Sequence, residues 1–289
     1  MKDLKKRTIT AIVLIACLIP IVYFGGISII IFTGLATLLA AFELEKMFKR
    51  EEKWNVFNFL NMILSVVSFI VFYDALINEM KWYFLLFVLS IFIVEGLMQI
   101  FSKSGSNTLG NSLITIFYPS IGFSTLAYIR NIEAEELWHG GFFILLYAVV
   151  ICMMTDMFAY FFGSKFGKHK LCERISPKKT WEGSVSGTVF AIVFGTLFAY
   201  LTKIDVYFFS LENRLVSILL VSLLSLCLSI IDEIGDLFAS KLKRAFGIKD
   251  YSQIFPGHGG VLDRFDSYIF VSAALSIIIL ILKWKTLLF

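Results

Sequence analysis

The sequence predicts an all-α, polytopic integral membrane protein of about nine transmembrane helices, and three observations predict it. Hydrophobic residues fill 58% of the 289 positions, 31 of them Phe, and mean hydropathy is +0.82. A soluble core of this length cannot hide that much apolar surface. The apolar residues also fall in runs of about 20, the length that crosses a bilayer. Finally, Lys and Arg are concentrated in alternate connectors, as the positive-inside rule requires of a multi-span chain.

In order, the expected spans are residues 8–24, 27–42, 56–73, 82–101, 109–129, 141–163, 183–201, 215–240 and 266–288. The first two are separated only by Gly25 and Gly26, which predicts a tight helical hairpin. Two connectors are longer than the rest, 164–182 and 241–265. One set of connectors holds Lys2, Lys5, Lys6, Arg7, Lys46, Lys49, Arg50, Lys53, Lys103, Lys165, Lys168, Lys170, Arg174, Lys178, Lys179, Lys241, Lys243, Arg244, Lys249 and Arg264. The other holds Lys81, Arg130, Lys203, Arg214, Lys283 and Lys285. This division of 20 against 6 among the 26 basic residues predicts a cytoplasmic amino terminus, both long loops in the cytoplasm and an external carboxyl terminus.

The apolar run after the first basic residues continues through Cys17 to Phe24, so it reads as a span and not as a cleaved leader. Cys17, Cys152, Cys172 and Cys227 have no paired spacing and predict neither a disulfide framework nor a zinc site. No repeat suggests inverted transporter halves. Residues 1–289 read as one membrane domain, with the helices of 1–130 as scaffold and 141–289 carrying both long loops. The net charge of +4 is confined to connectors, which argues for lipid contact and against nucleic acid.

Carboxylates inside or at the mouths of spans each need a partner, a metal or water. Asp156 lies at the end of the sixth span, and Asp232, Glu233 and Asp236 lie in the eighth. A spacing of four sets Asp232, Asp236 and Ser240 on one helical face, with Glu233 beside it. Asp263 and Asp266 open the ninth span. Glu43 and Glu95 read as lone acids that snorkel or pair locally. Salt bridges to Lys241, Lys243, Arg244 and Arg264 are one account of the cluster, but they leave the glycines unexplained. Gly257, Gly259 and Gly260 flank His258 after Pro256, giving a loop that can approach a ligand and aim N–H groups at an anion. Carboxylates beside such a loop suit Mg²⁺ with phosphate. In the other long loop, Ser176-Pro177-Lys178-Lys179-Thr180 adds cations before Gly183; basic residues there also serve as topology signals. There is no Walker-type loop, paired-histidine motif or serine elbow.

At these residues the chain resembles the phosphatidate cytidylyltransferases, or CDP-diacylglycerol synthases. The resemblance runs through Ser240, Lys243, Arg244, Lys249, Asp250, His258, Gly259, Gly260, Asp263, Arg264 and Asp266. Upstream it includes Gly235-Asp236, residues 176–180 with Glu182-Gly183, and Asp156 with Ala159-Tyr160 and Gly163. It covers the carboxyl-terminal half, while the earlier helices match only as apolar spans. Two positions depart from the pattern: Met157 and Phe158 stand where small residues are common, and Ala239 stands where many relatives have glutamate.

The resemblance implies that the phosphate of phosphatidic acid attacks the α-phosphorus of CTP, giving CDP-diacylglycerol and pyrophosphate at the cytoplasmic face of the inner membrane. It implies Asp236 and Asp263 as carboxylates of a binuclear cation centre, with Asp156 in a lesser role; Mg²⁺ is the expected cofactor, with K⁺ a candidate second ion. Lys178 and Lys179 are expected on CTP phosphates and Lys243, Arg244 and Arg264 on phosphatidate or pyrophosphate, roles that are interchangeable, and Ser176, Ser240, Gly259 and Gly260 are further expected substrate-binding residues. Asp236, Asp263, His258 and Lys178 are the expected catalytic residues, and His258 either positions an anion or acts as a base. A homodimer in the lipid bilayer is the expected assembly. A CTP-dependent lipid kinase and an ion-coupled transporter are the rival functions.

Overall fold

The computed structural model describes the backbone of residues 2–49, 54–78, 82–101, 108–133, 140–209 and 213–288, and their side chains except 2–9, 11, 82, 101 and 284–288. The side chains of Lys2, Lys5, Lys6, Arg7, Arg50, Lys53, Lys81, Lys103 and Lys285, used in the charge count, lie outside the described residues. The elements are α1 (Lys2–Phe24), α2 (Ile27–Lys49), α3 (Val56–Ile77), α4 (Trp82–Phe101), α5 (Leu109–Arg130), α6 (Gly140–Phe166), β1 (Lys170–Cys172), β2 (Ser176–Thr180), α7 (Trp181–Thr202), α8 (Ile204–Phe209), α9 (Arg214–Ala245) and α10 (Leu262–Leu288).

Among the described residues, eight helices are long and apolar enough to cross a membrane: α2 to α7, α9 and α10. The apolar part of α1, Ile12–Phe24, is shorter. The chain is therefore an all-α multi-pass membrane protein, with every expected span inside a helix. Most helices run past the apolar windows. α2 reaches Lys49 because Glu, Leu, Lys and Met continue a helix well and because Glu43, Glu45 and Lys49 are buried there instead of entering a connector. The short strands and α8 have no hydropathy signal and were not expected.

The chain divides into two compact units, Met1–Tyr128 with Ala245–Phe265, and Ile129–Arg244 with Asp266–Phe289. In the first, Gly25 and Gly26 both take left-handed φ, 61° and 56°, a conformation that would strain a side chain. The Ser28 hydroxyl donates to the Gly25 carbonyl at 2.6 Å and closes the turn. Asn55 caps α3: its side chain accepts from the Asn58 amide, and Asn58 Oδ1 accepts from the Asn55 amide. The loop 245–265 joins this unit through rings: Phe48 meets Phe246 edge-on at 5.0 Å, while Phe32 and Phe123 flank Phe265 at 6.3 and 5.4 Å.

In the second unit the α6–α7 contact follows from one stripe. Gly183, Gly187, Ala191, Gly195 and Ala199 recur every four residues, and all are buried, so the two backbones approach closely. A Cβ on Gly187 would stand 2.4 Å from the Thr155 carbonyl oxygen, and one on Gly183 would stand 2.6 Å from that of Ala159. Beside the stripe, Phe158 stacks on Phe190 with centroids 3.8 Å apart, and on Phe194 at 6.0 Å. The departure at Phe158 is thus absorbed by an aromatic column. Hydroxyl pairs tie α9 to its neighbours: Tyr147 with Ser225 at 2.9 Å, Thr155 with Ser229 at 2.8 Å and Thr196 with Ser222 at 3.0 Å.

Gly187→Val is expected to force α6 and α7 apart and destabilise the protein by about 1–3 kcal/mol, whereas Val189→Ala, at a position 50% exposed on the outer face of α7, should be nearly neutral. Thermal unfolding in detergent compares the two. Equal melting of both variants would contradict the packing.

Candidate active site

The second unit gathers acids from separate elements around one lysine. The hairpin of β1 and β2 pairs antiparallel, Lys170 opposite Thr180 and Cys172 opposite Ser176. Thr180 then caps α7, its hydroxyl accepting from the Gly183 amide at 3.2 Å. At the hairpin's other end, His169 binds Glu182 through Nδ1 at 2.7 Å and through its amide. Alternation along β2 puts Lys178 and Lys179 on opposite faces. Lys178 is exposed; Lys179 is half-buried, and its Nζ lies 2.7 Å from Asp236 Oδ2.

Asp236 Oδ1 accepts from the Ser240 hydroxyl at 3.5 Å, one turn along α9, as the spacing of four predicts. Asp156 on α6 lies among the charges of Lys179, Asp236 and Glu233. Glu233 Oε2 accepts from Ser184 at 2.5 Å. Asp232 is fully buried, with the Cys152 thiol and the Ser267 hydroxyl as its neighbouring donors. Asp266 on α10 lies within electrostatic reach of Asp236, Lys243 and Asp156. Gly235 has no Cβ where the Ser267 Cα and Phe270 ring stand 3.1 Å away. Burial alone would lower the Lys179 pKa, but the carboxylates of Asp236, Glu233 and Asp156 outweigh it and hold the ammonium above its ordinary range. The lysine's charge therefore contributes fully below its free value of about 10.4, and that contribution is lost as pH rises through the higher folded value.

The first unit holds the glycine loop, and the partners of its N–H groups are its own carboxylates. Glu43 on α2 is fully buried. Its Oε1 accepts from the Val261 amide at 2.8 Å and the Ser252 hydroxyl at 2.6 Å, and its Oε2 accepts from the Leu262 amide at 2.9 Å. These are the first amides of α10, the helix end that favours negative charge. Asp263 Oδ2 accepts from the amides of Gly260 and Tyr251 at 2.9 and 2.8 Å. Gly260 must lack a side chain, since a Cβ there would stand 2.2 Å from Glu43 Oε1. Gly259 takes φ +85° and bridges to Phe255. The His258 carbonyl accepts from Arg264 Nε at 2.7 Å, while its ring Nδ1 is buried with no hydrogen-bond partner among the described residues.

The structure thus brings Asp156, Lys179, Asp236 and Ser240 together in one unit, with Lys243 buried and Arg244 exposed on the same helix. It brings His258, Gly259, Gly260, Asp263 and Arg264 together in the other. Ser176 starts β2, half-buried. Sequence reasoning missed Glu43, read as a snorkelling or locally paired acid. Its partners lie more than 200 residues away; the available signal was an acid in an apolar helix, which by itself asks for a partner.

A multi-pass bundle whose helices gather carboxylates around a lysine presented by a short hairpin stands among the integral-membrane enzymes. The chain belongs to the cytidylyltransferase family, whose model matches residues 5–282. It is 30% identical over 284 residues to a phosphatidate cytidylyltransferase of Staphylococcus haemolyticus and 32% identical over 284 to one of Staphylococcus aureus strain COL. To one of Staphylococcus epidermidis it is 31% identical over 286. Each alignment covers 96% of this chain and 99% of the relative.

Glu43→Ala leaves two amides and a hydroxyl without their acceptor, at about 1–3 kcal/mol for each buried group left unmet. Transferase activity per folded protein is expected to fall at least about tenfold, and less for Glu43→Gln, which keeps one acceptor oxygen. Gly260→Ala should match the alanine variant. Full rates in all three would show that the loop does not depend on this contact.

Proposed function

We propose that the protein is a phosphatidate cytidylyltransferase, transferring CMP from CTP to phosphatidic acid and releasing pyrophosphate. The observation that carries this reading is the motif from Ser240 to Asp266, complete in a chain that aligns end to end with relatives of that name. A phosphate monoester dianion is already a nucleophile near neutral pH, so the protein's work is positioning and electrostatic stabilisation.

In this reading Lys179, oriented by Asp236, meets the CTP phosphates, and exposed Lys178 guides the nucleotide inward. Lys243, Arg244 and Arg264 serve phosphatidate and pyrophosphate. His258 contributes an imidazole whose Nδ1 no protein group engages among the described residues; its role is to position an anion. Glu43 holds the backbone from which His258 and Asp263 project.

Mg²⁺ is the proposed cofactor, with K⁺ a candidate second cation, and Asp236, Asp263 and Asp156 as the carboxylates that would hold it. The donor chemistry fits a hard cation: oxygen donors predominate, and Glu233 retains an oxygen with no hydrogen-bond partner among the described residues. No three His, Cys, Asp or Glu form a ready-made metal cage among the described residues. Mg²⁺ is usually held by one or two carboxylates and completed by water and phosphate. Bound there, the ion would neutralise phosphate charge. Counting α1 as a ninth span, we place the loops and both termini by the charge count, with the amino terminus and the site facing the cytoplasm and the carboxyl terminus outside; the protein is a homodimer in the inner membrane.

Purified protein given α-labelled CTP, phosphatidate and Mg²⁺ is expected to place label in lipid and release pyrophosphate, with Asp236→Asn and Asp263→Asn each slower by about 100-fold or more. Transfer of γ-label instead would identify a kinase. Near-normal rates in both variants would remove the assigned carboxylates.

A further inference from the structure

The hairpin that carries Lys178 and Lys179 does not fix them by its own pairing. Lys170 stands opposite Thr180 and Cys172 opposite Ser176, with a register shift between, so Leu171 alone faces Pro177, Lys178 and Lys179. β2 therefore bulges where both lysines sit, and residues in a bulge are left out of the ladder. Two strands alone also make a marginal structure. The position of Lys179 is thus set by what holds the ends of β1 and β2.

Those ends are tied at the base of the hairpin. The Trp181 amide donates to the His169 carbonyl at 2.9 Å. Gly167 is packed so closely that a Cβ there would stand 2.3 Å from the Gly163 carbonyl oxygen and 2.6 Å from the Thr180 side chain. Glu182, in the first turn of α7, reaches back to the residues that precede β1. Both its carboxylate oxygens accept from the His169 amide at 3.2 Å, and the Lys168 amide donates to it as well. Its Oε1 also takes His169 Nδ1 at 2.7 Å. A carboxylate only accepts, so Nδ1 carries a proton here.

The side chains of His169 and Glu182 are 78% and 30% exposed. An ion pair that open adds little to global stability. Its location gives it a different task, because it joins the residue before β1 to the helix that follows β2. His169 stands outside the segment 176–183 that carries the family resemblance.

We propose that Glu182 and His169 are positioning residues that act through Lys179: clasped together, they lock the base of the hairpin and hold the bulge of β2 where Lys179 reaches Asp236. That Lys179 then serves the CTP phosphates rests on the transferase reading; the clasp does not. An asparagine at 169 can offer its side-chain N–H in place of Nδ1–H. His169→Asn should therefore keep the clasp, and His169→Ala should lose it.

The test is acetylation of the full-length protein in detergent, without substrates, with Lys178 and Lys179 resolved by fragment-ion mass spectrometry. Lys178 is exposed and Lys179 half-buried, so Lys179 should react several-fold more slowly in the wild type. Glu182→Ala and His169→Ala should bring Lys179 toward the rate of Lys178. His169→Asn should leave it slow, as should Glu173→Gln, which removes an exposed acid from the turn of the same hairpin. If Glu182→Ala does not fold, His169→Ala carries the comparison. In transferase assays both alanine variants are expected to raise KM for CTP about tenfold, through misplacement of Lys179, with KM for phosphatidate unchanged and His169→Asn near the wild type. A carboxylate that serves only the amino-terminal end of α7 would leave His169→Ala at wild-type values in both assays, and the proposal fails. It fails equally if Lys179 stays protected in both alanine variants or loses protection in Glu173→Gln. A wild type that transfers no CMP would overturn the transferase reading, while acetylation would still decide the clasp.

Discussion

A carboxylate withdrawn from water inside a membrane bundle must be met by donors or cations, and most of the polar architecture of this protein answers that demand. Glu43 is the clearest case. Its two oxygens receive the first amides of α10 and a serine hydroxyl, so the acid caps a helix end. The glycine at 260 exists to let that acid in. Remove the carboxylate and the loop bearing His258 and Asp263 loses its anchor.

In the second unit Lys179 gives Asp236 a charged partner, Ser240 adds a weaker one, and Ser184 serves Glu233. Close approach of α6 and α7 along the glycine and alanine stripe makes a helix pair that hydroxyl pairs then tie to α9. The most deeply buried acids lean on neutral donors instead, Asp232 on Cys152 and Ser267 and Glu95 on Ser112.

Much of this could be read from residue order. Apolar runs located the spans because length and hydropathy are local properties, and the step of four from Asp236 to Ser240 is fixed by helical geometry. Gly25-Gly26 turned as glycines do. The partners of Glu43 could not be read, because they follow from tertiary packing across most of the chain. Nor could the difference between Lys178 and Lys179, adjacent and chemically identical, which depends on an unforeseen hairpin sending one toward Asp236 and the other into solvent. The glycine loop was legible as an anion-binding shape. That the anions at its amides include two of the protein's own carboxylates was not.

The claim most open to direct measurement is that Glu43 holds the amides of Val261 and Leu262. Hydrogen exchange of the peptide spanning residues 258–265, in detergent and without substrates, reports those amides separately from catalysis. They should exchange slowly in the wild type and lose most of that protection in Glu43→Ala while α6 and α7 remain protected. Rapid exchange in the wild type, or unchanged protection in the variant, would contradict the account.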